Sequence, residues 1–565
     1  MDLKPKSLLG EFLVEENIIS QEELETALVF QARNQELLGN ILLKLKIIDE
    51  EKFYPLLARH LGVSYVSLKE KEIPSEIINL IPAQLASYYK VIPLSAHNGE
   101  ISIATSEPKN MHHLDGLSSM VAGRIKFYLS SEAEIIEAIR RYYGLGAETI
   151  ERMMTDVTPL SKPMQAIDNI HEIDSEASMG RFINQLLLEA YNDRASDIHI
   201  EPYEDSLQIR YRIDGVLYDA QVPSNIKHFK DSINSRIKIL ANLNIAEKRL
   251  PQDGRFKVHA GEVQVDFRVS FLPTPYGESV VIRILNQNKI FDLKELGLMD
   301  QDLKKLDYLI QRPHGIIFVT GPTGSGKTTT LYSCLSRVNC SEKKVLTIED
   351  PIEYQLKGIT QIQINPAIHL TFAQGLRSML RHDPDIMMVG EVRDQETAEI
   401  AIQVALTGHL VFSTLHTNDA ASGITRLLDM NIKSFLISSS VICFIAQRLV
   451  RMICPNCRQP VKPTVDLIKE FGIAEEELKK ATFFAGRGCN MCQETGYHGR
   501  KGIYEFLFLD EELRSLIYQN VSVDQIRAKA LEKGMKSLRS DGLEKVLLGL
   551  TTPEEVIRVT QDKLT

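Results

Sequence analysis

Apolar and polar positions change period several times along the chain, and each change marks an element. In the first sixty residues the spacing is helical and occurs twice. Leu8-Leu9-Gly10-Glu11-Phe12-Leu13-Val14 leads to Ile18-Ile19-Ser20-Gln21-Glu22-Glu23-Leu24. Leu37-Leu38-Gly39-Asn40-Ile41-Leu42-Leu43 leads in the same way to Ile47-Ile48-Asp49-Glu50-Glu51-Lys52-Phe53. Each copy predicts a helix, a turn, an N-capping Ser20 or Asp49 with acids in the first turn, and a second helix. Such duplicated hairpins pack on each other. From Tyr65 to Tyr143 strand-like pieces (Val91-Ile92-Pro93-Leu94, Ile101-Ser102-Ile103-Ala104) alternate with helical ones, which predicts a small α+β unit. Periodicity weakens after Gly144, and Thr155 to Pro163 reads as linker. An amphipathic helix is expected over 182–191, with hairpin-like strands around Asp214-Gly215 and Gly254-Arg255. Phe435 to Ile445 is too short for a membrane span and carries Ser438-Ser439-Ser440, so it reads as a buried core helix.

Short apolar runs at Gly315–Thr320, Val345–Ile348 and Ile386–Val389 have the length and β-branched content of buried parallel strands. The first runs into Gly321-Pro322-Thr323-Gly324-Ser325-Gly326-Lys327-Thr328, which fits G-x-x-x-x-G-K-[ST], and Thr329 to Leu335 can continue as a helix. Strand, glycine loop and helix together make an anion site from backbone amides and a helix dipole. In that arrangement Lys327 reaches the β- and γ-phosphates and the Thr328 hydroxyl holds Mg²⁺, so a nucleoside triphosphate is the expected ligand.

Hydrolysis also needs a carboxylate for water and a cation for the charge developing on the γ-phosphoryl group. The second apolar run is followed by Glu349-Asp350-Pro351-Ile352-Glu353, and the third by Gly390-Glu391, an acid of the Walker B type. Carboxylates at the C-terminal ends of adjacent parallel strands lie where α/β folds place their ligands. His409 and His416 flank a further buried strand, and the pair is expected to sense the γ-phosphate by hydrogen bonding.

Composition narrows the picture. A chain of 565 residues exceeds one core and predicts three or four domains. A net charge of −10 argues against a dedicated nucleic-acid binder. No stretch has the length and apolarity of a membrane span, and Met1 to Lys6 opens no signal peptide, so a cytosolic protein is expected, meeting membranes through partners. Four of the seven cysteines form Cys454-Pro455-Asn456-Cys457 and Cys489-Asn490-Met491-Cys492, a C-x2-C-x31-C-x2-C pattern. Four thiolates in two knuckles suit structural Zn²⁺ with no open position for catalysis. The long spacer is no obstacle, since each doubling of a loop costs only about 0.6 kcal/mol. No histidine follows either pair, as haem attachment requires, and the duplication disfavours a redox dithiol.

With these segments assembled, the chain resembles the type II secretion and type IV pilus assembly ATPases, the GspE/PilB branch of the secretion ATPases. Besides the glycine loop, the likeness rests on Ser196-Asp197-Ile198-His199-Ile200-Glu201-Pro202, Tyr211-Arg212-Ile213-Asp214-Gly215, Ala246 to Arg255 and Arg268-Val269-Ser270. The Asp box ending at Glu353, Gly390-Glu391-Val392-Arg393-Asp394, the His box ending at His416 and the tetracysteine insert follow in family order.

The resemblance implies an α/β protein. It would have a RecA-like P-loop core at 288–565 with the zinc insert near 450–500, and a PAS-like α+β second domain at 179–287. A linker would cover 146–178 and a helical and α+β N-terminal domain 1–145. It implies a cytoplasmic homo-hexamer that uses ATP and Mg²⁺, carries structural Zn²⁺ and docks on an inner-membrane platform protein to drive pilin or pseudopilin assembly. Glu391 would complete the Walker B acid, Glu353 would position water, and His416 would be a catalytic residue beside them. Arg268 and Arg283 match the second-domain arginines that reach the triphosphate, with Arg212 and Arg255 as secondary contacts. Arg377, Arg381 and Arg393 would serve the subunit interface and hinge.

The N-terminal repeat is similar to the MshEN domain, which in some relatives binds cyclic di-GMP through two Arg-Leu-Gly openings. Here both openings are Leu-Leu-Gly, the usual glycine is Asn17, and His60 replaces the second glutamine although Gln31 is kept. Loss of both guanidinium groups argues against cyclic di-GMP and favours docking to a cytoplasmic adaptor. Two other functional classes fit parts of the pattern: a P-loop DNA translocase or type IV secretion ATPase, and a nucleotide-sensing regulatory module. Intact Lys327, Glu353 and Glu391 argue against a dead enzyme.

Overall fold

The computed structural model describes residues 8–34, 38–69, 71–97, 99–106, 124–147, 149–150, 169–260, 263–285, 291–462 and 482–560. The chain forms two compact units, Met1–Ile284 and Leu285–Thr565. The expected linker at Thr155 to Pro163 and the junction near Gln287 lie outside the described residues.

The first unit begins with the duplicated hairpins, as helices Leu9–Glu15, Gln21–Asn34, Leu38–Lys44 and Glu50–Leu61. The repeat is structural as well as sequential. A Cβ on Gly10 would come within 2.6 Å of Leu24, and one on Gly39 within 2.5 Å of Phe53, so each opening glycine lets its helix press on the second helix of its own copy. Asn17 and Lys46, at matching places in the two copies, both turn the chain with positive φ (55° and 54°). Leu13, Leu24, Leu42 and Phe53 share the resulting core.

A four-stranded sheet follows, in the order Ser64–Tyr65, Arg124–Leu129, Glu100–Thr105, Val91–His97. The remainder of the unit is a six-stranded sheet ordered Val216–Asp219, Leu207–Ile213, Ala195–Pro202, Gly277–Leu285, Val263–Thr274, Gln252–Ala260. Its alternating residues build one core with Phe182, Ile183, Leu186 and Leu187 from a long helix and Ile233 and Ile237 from Lys230–Leu240.

Two expectations change here and one holds. The long helix runs Asn169–Asn192, so it starts inside the stretch read as linker, because no glycine or proline interrupts the sequence from Met164 to Met179. The other end of that stretch is also structured, since Leu145 and Ile150 pack into the six-stranded core and a Cβ on Gly146 would lie 2.5 Å from Phe182. Asp214-Gly215 does make a two-residue hairpin turn, both residues having positive φ and Ile213 pairing with Val216. Gly254 instead lies within a strand, where a side chain would press on Ala241 at 3.1 Å.

The second unit is built on a seven-stranded sheet: Thr360–Gln363, Val345–Glu349, Ile386–Val389, Leu410–Leu415, Gly315–Thr320, Val441–Ile453 and Tyr497–Phe508. The first six run parallel and only the last pair is antiparallel. The four strands at its centre are buried along their whole length, which is why their sequences read as unbroken apolar runs. Two cores flank the sheet, one around Leu331, Tyr332 and Leu335 and the other around Ala401, Ile424 and Phe444.

The expected core helix over 435–445 is only half right, being a helix at Ser434–Ser440 followed directly by the strand Val441–Ile453. Val441 and Ile445 are β-branched and pair with Ile316 and Val319, so the sheet claims them. The serines end the helix by returning their hydroxyls to the carbonyls of Phe435 and Leu436.

Candidate nucleotide and metal sites

Because the central strands are parallel, everything that follows them collects along one edge of the sheet. Register places Thr320 beside Leu415 and Ala446, Val389 beside Ser413, and Ile348 beside Val389. The glycine loop, the acidic loop after Glu349, Gly390-Glu391 and His416 therefore converge there, at the edge where α/β sheets bind ligands.

The loop is shaped by its glycines. Gly321, Gly324 and Gly326 have φ of 147°, 79° and 88°. A Cβ on Gly321 would fall 2.6 Å from the Gln447 carbonyl oxygen, and one on Gly326 would fall 2.9 Å from the Gln447 amide nitrogen. The helix behind runs Lys327–Val338, opening at the lysine itself. Pro322, Thr323, Gly324 and Thr328 are exposed, whereas Ser325 and Lys327 are buried. Lys327 Nζ donates to the carbonyls of Gly321 (2.7 Å) and Pro322 (3.1 Å). Burial pulls its pKa down to about 8, opposed by the attraction of Glu391.

Glu391 is mostly covered and meets the Arg393 guanidinium at 2.5 Å and the His416 imidazole Nε2 at 3.3 Å. The histidine pair therefore separates. His416 faces the ligand edge, while His409 sits at the other end of its strand, about 20 Å away at strand rise. There His409 Nδ1 engages the Val404 carbonyl at 3.0 Å and the Thr407 hydroxyl at 3.1 Å at the end of helix Gln395–Leu406. It anchors a helix end and is not a phosphate sensor.

Glu353 is half-buried in the acidic loop, and its N–H donates to the Tyr332 hydroxyl at 3.3 Å. In the first unit Arg283 is exposed and donates to the buried Asp197 carboxylate at 2.9 Å, with Arg212 3.8 Å from the same group. Arg268 lies on the adjoining strand, opposite Arg255. Arg212, Arg255, Arg268 and Arg283 thus share one sheet face with the buried Asp197, and Arg210, paired with Glu201, lies on it too.

The four cysteines come together although 31 residues separate the two pairs. Their sulfurs all lie within 4.8 Å of one another, with edges of 3.7 Å (Cys454–Cys489 and Cys489–Cys492) and 3.8 Å (Cys457–Cys492). A tetrahedron of zinc–sulfur bonds has edges of about 3.8 Å, so the donor set fits a bound metal of that type. The Cys489 N–H and the Asn456 amide donate to sulfur at 3.2 and 3.3 Å, as thiolate ligands require. The spacer folds back on itself, Arg458–Val461 pairing with Phe483–Gly486.

A match to the type II/IV secretion system protein family spans residues 172–558, well over half of the chain. The chain belongs to this family of secretion ATPases. It is 40% identical to the type IV pilus assembly ATPase PilB of Myxococcus xanthus, across 97% of this chain and 98% of that one. It is 42% identical to the type II secretion system ATPase E of Vibrio cholerae (86% and 97% covered) and 47% identical to the type II secretion system protein E of Dickeya dadantii (74% and 84%). An MshEN domain match covers 61–149 and so begins at the last residue of the duplicated hairpins. No described helix of this secretion ATPase is long and apolar enough to cross a membrane.

Sequence reasoning missed several residues of the site. Gln447 is buried beside the glycine loop, where its side chain accepts from Thr330 at 2.7 Å. Arg448 donates to the Asn418 carbonyl at 2.7 Å and so ties down the loop after His416. Glu349 is buried and hydrogen-bonded to Tyr332, Thr347 and Gln361. Gln447 and Arg448 have no local signal, because their partners come from a different part of the fold, and Glu349, although in the acidic segment already singled out, owes its buried role to Tyr332 and Gln361.

Proposed function

We propose that this secretion ATPase is a hexameric motor that converts ATP hydrolysis into assembly of a type IV pilus or type II secretion pseudopilus. One observation carries the reading: the phosphate loop, two acidic loops and His416 meet at one edge of one parallel sheet. Lys327 exchanges its loop carbonyls for the β- and γ-phosphates, and the backbone amides of 324–328 cradle them. Thr328 and Glu391 hold Mg²⁺, which would neutralise phosphate charge when bound. Glu353 orients water, and His416 reports the state of Glu391 to the following loop. Arg268 and Arg283 are the arginines this reading assigns to the charge developing on the phosphoryl group. Cys454, Cys457, Cys489 and Cys492 hold structural Zn²⁺.

The hexamer works at the cytoplasmic side of an inner-membrane platform protein, with an adaptor docked on the N-terminal region. Cyclic di-GMP is not assigned to that region, since neither Leu-Leu-Gly opening provides a guanidinium. Steady-state ATP turnover and the mass of the particle in Mg²⁺ and ATP test the proposal together. A protein that stays monomeric and hydrolyses nothing would overturn it.

A further inference from the structure

The glycine-loop helix and the acidic loop are joined by a polar cluster buried in the domain. Tyr332 lies five residues after Lys327 on the same helix and is fully buried. Its hydroxyl donates to Glu349, and the same oxygen accepts the N–H of Glu353 at 3.3 Å. Gln361, from the edge strand, donates to Glu349 at 3.1 Å and to the Tyr354 carbonyl at 3.2 Å, while its carbonyl accepts the Leu356 N–H at 2.7 Å. Thr347 donates to the same Glu349 oxygen as Gln361, Oε1, while Tyr332 takes Oε2. Tyr354 packs edge-on against the Tyr332 ring at 4.6 Å.

A carboxylate that is 3% exposed would be costly if left bare, yet here it has three donors from three elements. Such a network tolerates little displacement, because moving one member strands a buried partner. We infer that Tyr332, held by Glu349 and Gln361, is a positioning residue for Glu353. It fixes the water-orienting loop to the helix that carries Lys327, so that loop and phosphate site move as one body. Neither Tyr332 nor Glu349 touches the reacting atoms in this scheme. The inference rests on the reading of Glu353 as the carboxylate that orients water.

Four purified full-length proteins test it: Glu353→Gln, Tyr332→Phe, the double variant, and Gln361→Leu, which approaches the same loop from a half-buried position. Tyr332→Phe is expected to lower kcat about tenfold or more while leaving KM for ATP within about twofold, because geometry and not binding is lost. In the double variant the two losses should not multiply, since a displaced Glu353 has nothing left to lose when replaced. Gln361→Leu should reproduce the kcat effect with the same KM. Normal kcat in Tyr332→Phe, or a rise in KM with kcat intact, overturns the inference. Multiplicative losses also overturn it. Should Tyr332→Phe fail to fold, Gln361→Leu decides by the same criteria. Unchanged turnover in Glu353→Gln alone refutes the underlying reading of Glu353 instead, and so separates the two failures.

Discussion

The phosphate loop and the cysteine cluster share a strand, for Val441–Ile453 passes Gln447 beside the loop and then runs into Cys454. Their donors are arranged in opposite ways. Lys327 is bonded to carbonyls of its own loop, and Glu391 to Arg393 and His416 at a partly open edge, so every partner can be exchanged. In the cluster the sulfurs already stand at tetrahedral spacing, three of them buried, with amide donors committed to them. A site that must change state keeps replaceable bonds, whereas one that only holds the fold has its geometry settled in advance.

The sharpest way to break this contrast is to remove the exchangeable cation. Lys327→Ala should lower ATP turnover by at least about 100-fold, read by phosphate release. Glu391→Gln comes next: ATP binding survives in a filter or fluorescence assay, while hydrolysis slows on the order of 100-fold. Normal turnover there would remove Glu391 from the metal-holding role.

A third effect is set by pH. The folded pKa of Lys327, about 8, lies below its ordinary value of 10.5, so the buried charge costs stability at lower pH. That cost is relieved as pH rises through 8 towards 10.5, and the nucleotide-free protein gains stability in this window. Phosphate binding needs the charged amine, so ATP affinity should fall about tenfold between pH 7 and pH 9 in calorimetric titration. A flat profile would show that Lys327 stays charged without ligand.

The smallest effect on catalysis belongs to the cluster. Chelation or Cys457→Ser should release metal and lower Tm by roughly 5 °C or more, because metal binding is folding energy. ATPase activity per folded molecule should stay within about threefold, given the separation of the two sites. Loss of turnover at an unchanged Tm would reverse the roles assigned here.

The same division explains what could be read in the sequence. Central strands such as Gly315–Thr320 and Ile386–Val389 are buried on both faces, so their composition alone declares them. The glycine loop and the C-x-x-C pairs are contiguous chemistry and were legible for that reason. Val441–Ile453 was not, because its first residues are apolar in a pattern that suits helix or strand and only the neighbouring strand decides. His409 and His416 look equivalent in sequence, and parallel register alone puts them at opposite ends of the sheet. Glu349 and Gln447 depend on Tyr332 and Thr330, residues of the glycine-loop helix that local pattern cannot connect to them.

The length of Val441–Ile453 carries one more consequence. Its first part lies between two strands, Gly315–Thr320 and Tyr497–Phe508, but beyond Ala446 only the antiparallel partner continues. Those residues form a two-stranded ribbon cantilevered from the sheet, and an isolated ribbon of that kind is marginal in water. It is braced by the C-terminal helices, whose Val546 and Val556 pack with Val450 and Ile503, by Glu555, which grips Arg451 at 2.9 Å, and by the cysteines, which clasp both strands where the ribbon ends. Strand length, C-terminal helices and metal ligands are therefore one architectural choice, and a domain built without the clasp would rest its ribbon on the helices alone.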